Sequence, residues 1–115
     1  MVNNQRGLTA VFAALADPTR RRILMRLANG EESAVSALAK PFRISAPAIS
    51  RHLRVIEKAH LIERRRKGRV HLVRARPAGL APAQQWLTQC AAGWEFSFDK
   101  LDELLKQELR KEKQK

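Results

Sequence analysis

Between Ile44 and Lys58 the chain reads Ile-Ser-Ala-Pro-Ala-Ile-Ser-Arg-His-Leu-Arg-Val-Ile-Glu-Lys. This stretch fits one helix with two unlike faces. Ser45 is suited to cap it, because its hydroxyl can accept a hydrogen bond from a first-turn amide. Pro47 falls in the first turn, where its missing N–H costs nothing. Ile49, Leu53 and Ile56 then recur at four- and three-residue steps and stack on one side. At about 100° per residue, Pro47, Ser50, Arg51, Arg54 and Lys58 fall roughly opposite. The second face is short, hydroxylated and basic, which suits a helix laid in a DNA major groove. An ordinary amphipathic surface helix would show the same two faces, so the neighbouring segments have to decide.

Charge narrows the choice. The formal net charge is +12 and the isoelectric point is near 11.3, so an anionic partner is expected, with nucleic acid and an acidic membrane surface both fitting. Residues 45–76 hold ten Lys or Arg against Glu57 and Glu63, so most of the excess sits on this helix and the segment after it. Tyrosine is absent, and the few aromatic residues supply little stacking surface for single-stranded nucleic acid. No run approaches the ~18 apolar residues of a membrane span, and Met1 to Ala10 lacks a signal-peptide core, so a cytoplasmic protein is expected. A lone cysteine, Cys90, fits a reducing compartment.

In chain order, Met1 to Gly7 is polar and expected to fray. Leu8, Val11, Phe12 and Leu15 give a short helical stripe that ends at Ala16-Asp17-Pro18. Asp17 and Pro18 start a second helix, expected to reach about Ala28 and to bury Ile23, Leu24 and Leu27, with Arg20, Arg21, Arg22 and Arg26 outside. Ser33 is expected to cap a third helix carrying Val35, Leu38 and Ala39, which Pro41 ends. Two short helices joined by a tight turn make a helix-turn-helix. Leu61 to Arg66 and Arg69 to Arg76 then flank a Lys67-Gly68 turn as two strands, with Val70 and Leu72 expected inward. A basic hairpin beside a helix-turn-helix is the footprint of a wing that grips the flanking backbone. After Pro77 to Pro82 a long helical pattern is continuous. Leu87, Trp94 and Leu101 recur every seven residues, as do Ala91, Phe98 and Leu105. So wide an apolar stripe exceeds what one small domain can cover, and a second copy is the simplest partner.

The fold expected is mainly α with a small β-hairpin: a winged helix-turn-helix with a long C-terminal dimerisation helix. A single domain is expected over residues 1–115, with the helix-turn-helix at about 33–58, the wing at about 61–76 and the last helix at about 82–111. Catalysis finds little support, since no phosphate loop, nucleophile elbow or carboxylate pair in an apolar setting is present, and a non-enzymatic protein is expected.

The run Phe12-Ala13-Ala14-Leu15-Ala16-Asp17-Pro18-Thr19-Arg20-Arg21-Arg22-Ile23-Leu24, followed by Ser45 to Ile56 with Ser50-Arg51-His52-Leu53-Arg54, resembles the ArsR/SmtB family of bacterial winged-helix repressors. The resemblance covers roughly residues 8–105 and implies a homodimer joined through its first and last helices. It also implies recognition of an inverted DNA repeat by Ser45 to Arg54, with the hairpin as wing. Two departures bear on mechanism. Metal-sensing members carry a cysteine pair where this chain has Ser33-Ala34-Val35-Ser36-Ala37-Leu38, and others carry histidines in the last helix, which has none here. His52, His60 and His71 are not spaced as a ligand set. The chain therefore looks like the branch without recognisable metal sites, and no cofactor or metal is expected.

DNA contact is expected from Ser45, Ala46, Pro47, Ser50, Arg51, His52 and Arg54 on the helix and from Arg65, Lys67 and Arg69 on the wing. His52 lies beside the core stripe, so packing competes with phosphate contact for it. The interface between copies is expected from Leu8, Val11, Phe12, Leu87, Cys90, Ala91, Trp94, Phe98 and Leu101. Cys90 on this face reads as a packed thiol, with a redox or metalloid switch as the alternative. The function expected is repression of an inverted-repeat operator, its own promoter among the candidates. A small winged-helix adaptor that docks a protein or acidic surface is the rival.

Overall fold

The computed structural model describes residues 4–113. Its elements run α1 (Asn4–Leu15), α2 (Pro18–Arg26), β1 (Ser33–Ala34), α3 (Val35–Ala39), α4 (Ala46–Lys58), β2 (Ile62–Lys67), β3 (Val70–Ala75), a 3₁₀ turn (Pro77–Leu80) and α5 (Ala81–Lys113). The chain forms a compact unit through Ala83 and a second, helical unit from Gln84 onward. In the first unit, α1 and α2 pack on α4, and α4 packs on β2. That arrangement is a winged helix-turn-helix, with α3 and α4 as the helix pair and β2–β3 as the wing.

The caps act as their chemistry dictates. The Asp17 side chain accepts a hydrogen bond from the Arg20 amide at 3.0 Å, and Pro18 opens α2. The Ser45 hydroxyl accepts one from the Ala48 amide at 3.2 Å. Ile49, Leu53 and Ile56 are buried, as their spacing requires, against Val11, Ile23 and Leu27 in one core. Burying each such side chain stabilises the fold by roughly 1.5–3 kcal/mol.

The end of α4 is less obvious from the sequence. The His60 amide donates to the Glu57 carbonyl and the Leu61 amide to the Ile56 carbonyl, while His60 takes a positive φ of 59°. This pairing satisfies the last carbonyls and lets Leu61 bury beside Ile56. Glycine is the usual residue at that position. The 3₁₀ turn then returns to the same place, and the Arg76 amide donates to the Leu61 carbonyl at 2.8 Å.

Several expectations are corrected. Asn4 to Gly7 belong to α1, whereas Met1 to Asn3, expected to fray, lie outside the described residues. Ser33 caps nothing. It stands opposite Val73 in β1, and α3 starts without a side-chain cap. The hairpin is therefore part of a three-stranded antiparallel sheet in the order β1-β3-β2. Lys67 pairs with Val70, which makes Gly68-Arg69 the two-residue turn, shifted one residue from Lys67-Gly68. Gly68 supplies the positive φ that such a turn needs. The inward face of β3 is Val73 with Ala75, opposite Arg64 and Ile62, while Val70 is 47% exposed and Leu72 half-buried. A register that buries Ile62 turns the 73/75 side of β3 to the core, because strand faces alternate. Leu72 takes the other side, opposite Ala34 of β1.

Helix α5 starts two residues before Ala83 and runs to Lys113, about 50 Å at 1.5 Å per residue. Among the described residues no helix is long and apolar enough to cross a membrane.

Candidate nucleic-acid interface

The outward face of α4 is built from about its first two and a half turns. Ala46, Pro47, Ser50, Arg51 and Arg54 are all exposed, and neither Arg51 nor Arg54 is held in an ion pair. Ser45 is exposed too, although its oxygen is engaged by the cap. Small side chains at the N-terminal end let backbone approach a surface closely, and the two arginines then extend past it.

His52 is placed differently. It is half-buried between α4 and the start of α2, with Nδ1 3.3 Å from Nη1 of Arg20 and 3.9 Å from Oδ2 of Asp17. Arg20, which the sequence pattern puts outside, is engaged. It donates from Nε to the Ala14 carbonyl at 2.9 Å and from Nη2 to the Ala13 carbonyl at 2.7 Å. One guanidinium thus ties together the last carbonyls of α1, the start of α2 and the middle of α4. The Asp17 carboxyl lies below its ordinary range. The main cause is the hydrogen bond from the Arg20 amide, opposed by partial desolvation and assisted by the Arg20 guanidinium and by the His52 ring in its protonated form. Arg21 donates to the Leu15 carbonyl at 2.7 Å and Arg22 stacks on Phe42, so three of the four α2 arginines are engaged.

The wing sorts its cations into two groups. Arg65, expected as an open hand, forks onto Glu32 with Nε–Oε2 and Nη2–Oε1 distances of 2.6 Å. Those bonds hold the Glu32 carboxyl below its ordinary range. Arg74 pairs with Glu63 at 3.0 Å. Arg64 Nε lies 3.1 Å from Glu57 Oε2, but off the line of a hydrogen bond. Arg66 folds onto the Gly68 carbonyl at 2.9 Å. Lys67 and Arg69, at the tip, are exposed and outside these pairs. Glu32 stands 33 residues before Arg65, and neither this pair nor the Arg20–His52 contact has a local sequence signal.

Of the residues expected between copies, Val11 is 2% exposed and belongs to its own chain's core. Leu8 and Phe12 are half-buried against that core. In the helical unit, Leu87, Ala91, Trp94, Phe98 and Leu101 are exposed and Cys90 is half-buried. Among the described residues no three His, Cys, Asp or Glu side chains come together as a metal cluster.

Comparison with known proteins places this geometry. Residues 17–64, from the α2 cap into the first wing strand, match the family model described as bacterial regulatory protein, arsR family. An ArsR family transcriptional regulator of known structure is 35% identical. It superposes with a TM-score of 0.75 over 83% of this chain and 97% of its own. An ArsR-like transcriptional regulator from Rhodococcus sp. RHA1 is 31% identical with a TM-score of 0.73, over 90% of this chain and 96% of its own. An HTH-type transcriptional regulator of Mycobacterium tuberculosis is 40% identical over 70% of this chain and 74% of its own length. The transcriptional repressor SdpR of Bacillus subtilis is 47% identical over half of this chain, which spans 63% of that protein. The chain belongs to the ArsR family of bacterial transcriptional regulators, a family of DNA-binding proteins rather than enzymes.

Proposed function

We propose that the protein is a homodimeric repressor that reads an inverted-repeat operator with α4 and grips flanking DNA with the wing, its own promoter among the targets. The observation that carries the reading is the division of labour among the cations. Carboxylates engage Arg64, Arg65 and Arg74, whereas Arg51 and Arg54 on α4 and Lys67 and Arg69 on the wing tip stand clear. A two-fold dimer presents two α4 helices, and an inverted repeat mirrors that symmetry. The family's metal-sensing ligands are missing from this sequence, so the proposed repressor works without a metal, in the cytoplasm with its DNA.

Reading and gripping separate by experiment. A guanidinium on guanine O6 and N7 discriminates by about 1–3 kcal/mol, while a phosphate contact carries no base information. Arg51→Ala is therefore expected to lower affinity for an operator duplex, selected from random DNA by the wild-type protein, far more than for a scrambled duplex. Arg69→Ala is expected to weaken both alike and to flatten the salt slope by about two units per dimer. Equal losses on both duplexes for Arg51→Ala would remove base reading from that residue. No salt-dependent binding to any duplex would favour the adaptor.

Arg65 adds a third expectation. Because it is forked to Glu32, its grip on phosphate is in competition with that carboxylate. Glu32→Gln is expected to raise affinity for either duplex by about three- to tenfold at low salt, within the range of exposed ion pairs on two subunits. The wild-type pairing is complete above the ordinary glutamate range and is lost as pH falls through the lowered value of Glu32. A pH series should accordingly bring wild type toward Glu32→Gln at its acid end.

A further inference from the structure

The Asp17–Arg20–His52 cluster has geometry that neither packing nor DNA contact requires. Nδ1 of His52 faces a donor, Arg20 Nη1, at 3.3 Å and an acceptor, Asp17 Oδ2, at 3.9 Å. With a neutral ring whose proton is on Nε2, Nδ1 accepts from Arg20. A proton on Nδ1 puts two positive donors face to face and makes Asp17 the better partner. Arg20 is held from behind by the Ala13 and Ala14 carbonyls, and Asp17 by the Arg20 amide. Among the described residues, the imidazole is the one member of the three without a backbone partner, and it is carried on α4 one residue after Arg51.

We infer that His52 is a proton-responsive positioning residue, which sets α4 against the α1–α2 corner through Arg20 when neutral and through Asp17 when protonated. The charged groups facing it are Asp17, the cap of α2, and Arg20 in its first turn. The α1 side of the corner contributes the two carbonyls that hold Arg20. The β2 strand sends Arg64 to Glu57, five residues further along α4, and the residues one turn away on α4, Ala48 and Ile56, are uncharged. The side chain is 22% exposed, enough to exchange protons with solvent. The effect on DNA rests on the reading that α4 is the recognition helix.

The test uses the full-length protein, the selected operator duplex and a scrambled duplex at about pH 8 and about pH 5.5, within the span where histidine side chains ordinarily change charge. The ratio of the two affinities cancels the general gain of any protonated protein for DNA. In wild type the ratio is expected to fall by about fivefold at the lower pH, the low end of ordinary coupling between sites. His52→Asn keeps an acceptor near Nδ1 without a titrating proton, and is expected to hold the pH 8 ratio at both pH values. His52→Ala is expected to lose it at both. Nitrogen-15 shifts of the His52 ring, measured without DNA, are expected to show the Nε2–H tautomer at pH 8. An Nδ1–H tautomer at pH 8, a His52→Asn ratio that follows pH as wild type does, or a His52→Ala ratio equal to wild type at pH 8 would each overturn the inference. The expected tautomer in a protein that selects no duplex would support the clamp and sink the DNA reading instead.

Discussion

Replacing Gly79 by alanine is expected to destabilise the protein by about 3 kcal/mol or more, at the upper end of overpacking penalties. A methyl group on Gly79 would overlap the carbonyl oxygen and carbon of His60 and crowd the Leu61 side chain. The obstacle is backbone that is already committed. His60 holds a positive φ at the end of α4, and its carbonyl also receives Arg76 Nη1 at 3.3 Å. Relief would require the 3₁₀ turn to lift from α4, breaking the 2.8 Å bond from the Arg76 amide to the Leu61 carbonyl. Gly7→Ala is the contrast. Gly7 lies in α1 with nothing near its missing Cβ, and alanine there is expected to add about 0.5–1 kcal/mol. Urea unfolding of both variants checks the pair, and a Gly79→Ala protein as stable as wild type would mean that the turn does not rest on His60.

Removing residues 94–115 is expected to yield monomers or aggregates and to cost operator binding by about 10²–10⁴-fold, the usual worth of joining two half-sites. Trp94, Phe98, Leu101, Leu104, Leu105 and Leu109 are each more than half exposed on one helix. An apolar surface of that length is what a second copy would cover. The buried core ends at Ala83, so the truncation leaves the first unit's packing intact. Phe98→Glu with Leu101→Glu in the full-length chain keeps the helix but charges its face, and is expected to act like the truncation. Sedimentation with and without duplex reads both variants. A truncated protein that still sediments as a DNA-binding dimer would move the interface to the first unit, where Leu8 and Phe12 remain half-buried.

The parts legible in the sequence were those written in local chemistry. Asp17-Pro18 and Ser45 with Pro47 mark helix starts because a cap bonds an amide only three residues away. Ile49, Leu53 and Ile56 declare the buried face of α4 because helix geometry alone stacks that spacing. The same periodicity exposes Arg51 and Arg54, so the candidate recognition surface is legible in local spacing alone. The apolar stripe of α5 was readable for the same reason.

Tertiary structure decided what depends on partners far along the chain. Val73 rather than Val70 and Leu72 faces the core because the β2–β3 register buries Ile62, and β1 takes the other side of the strand. Arg65 is engaged because the fold brings Glu32 to it across 33 residues, and His52 meets Arg20 across 32. Val11 became core because α1 packs on α4 within the same chain. Gly79, silent in the sequence, is required because the 3₁₀ turn meets the end of α4. Caps and periodicity follow from a few neighbouring residues, whereas register, ion-pair choice and close backbone approach exist only once separate elements have docked.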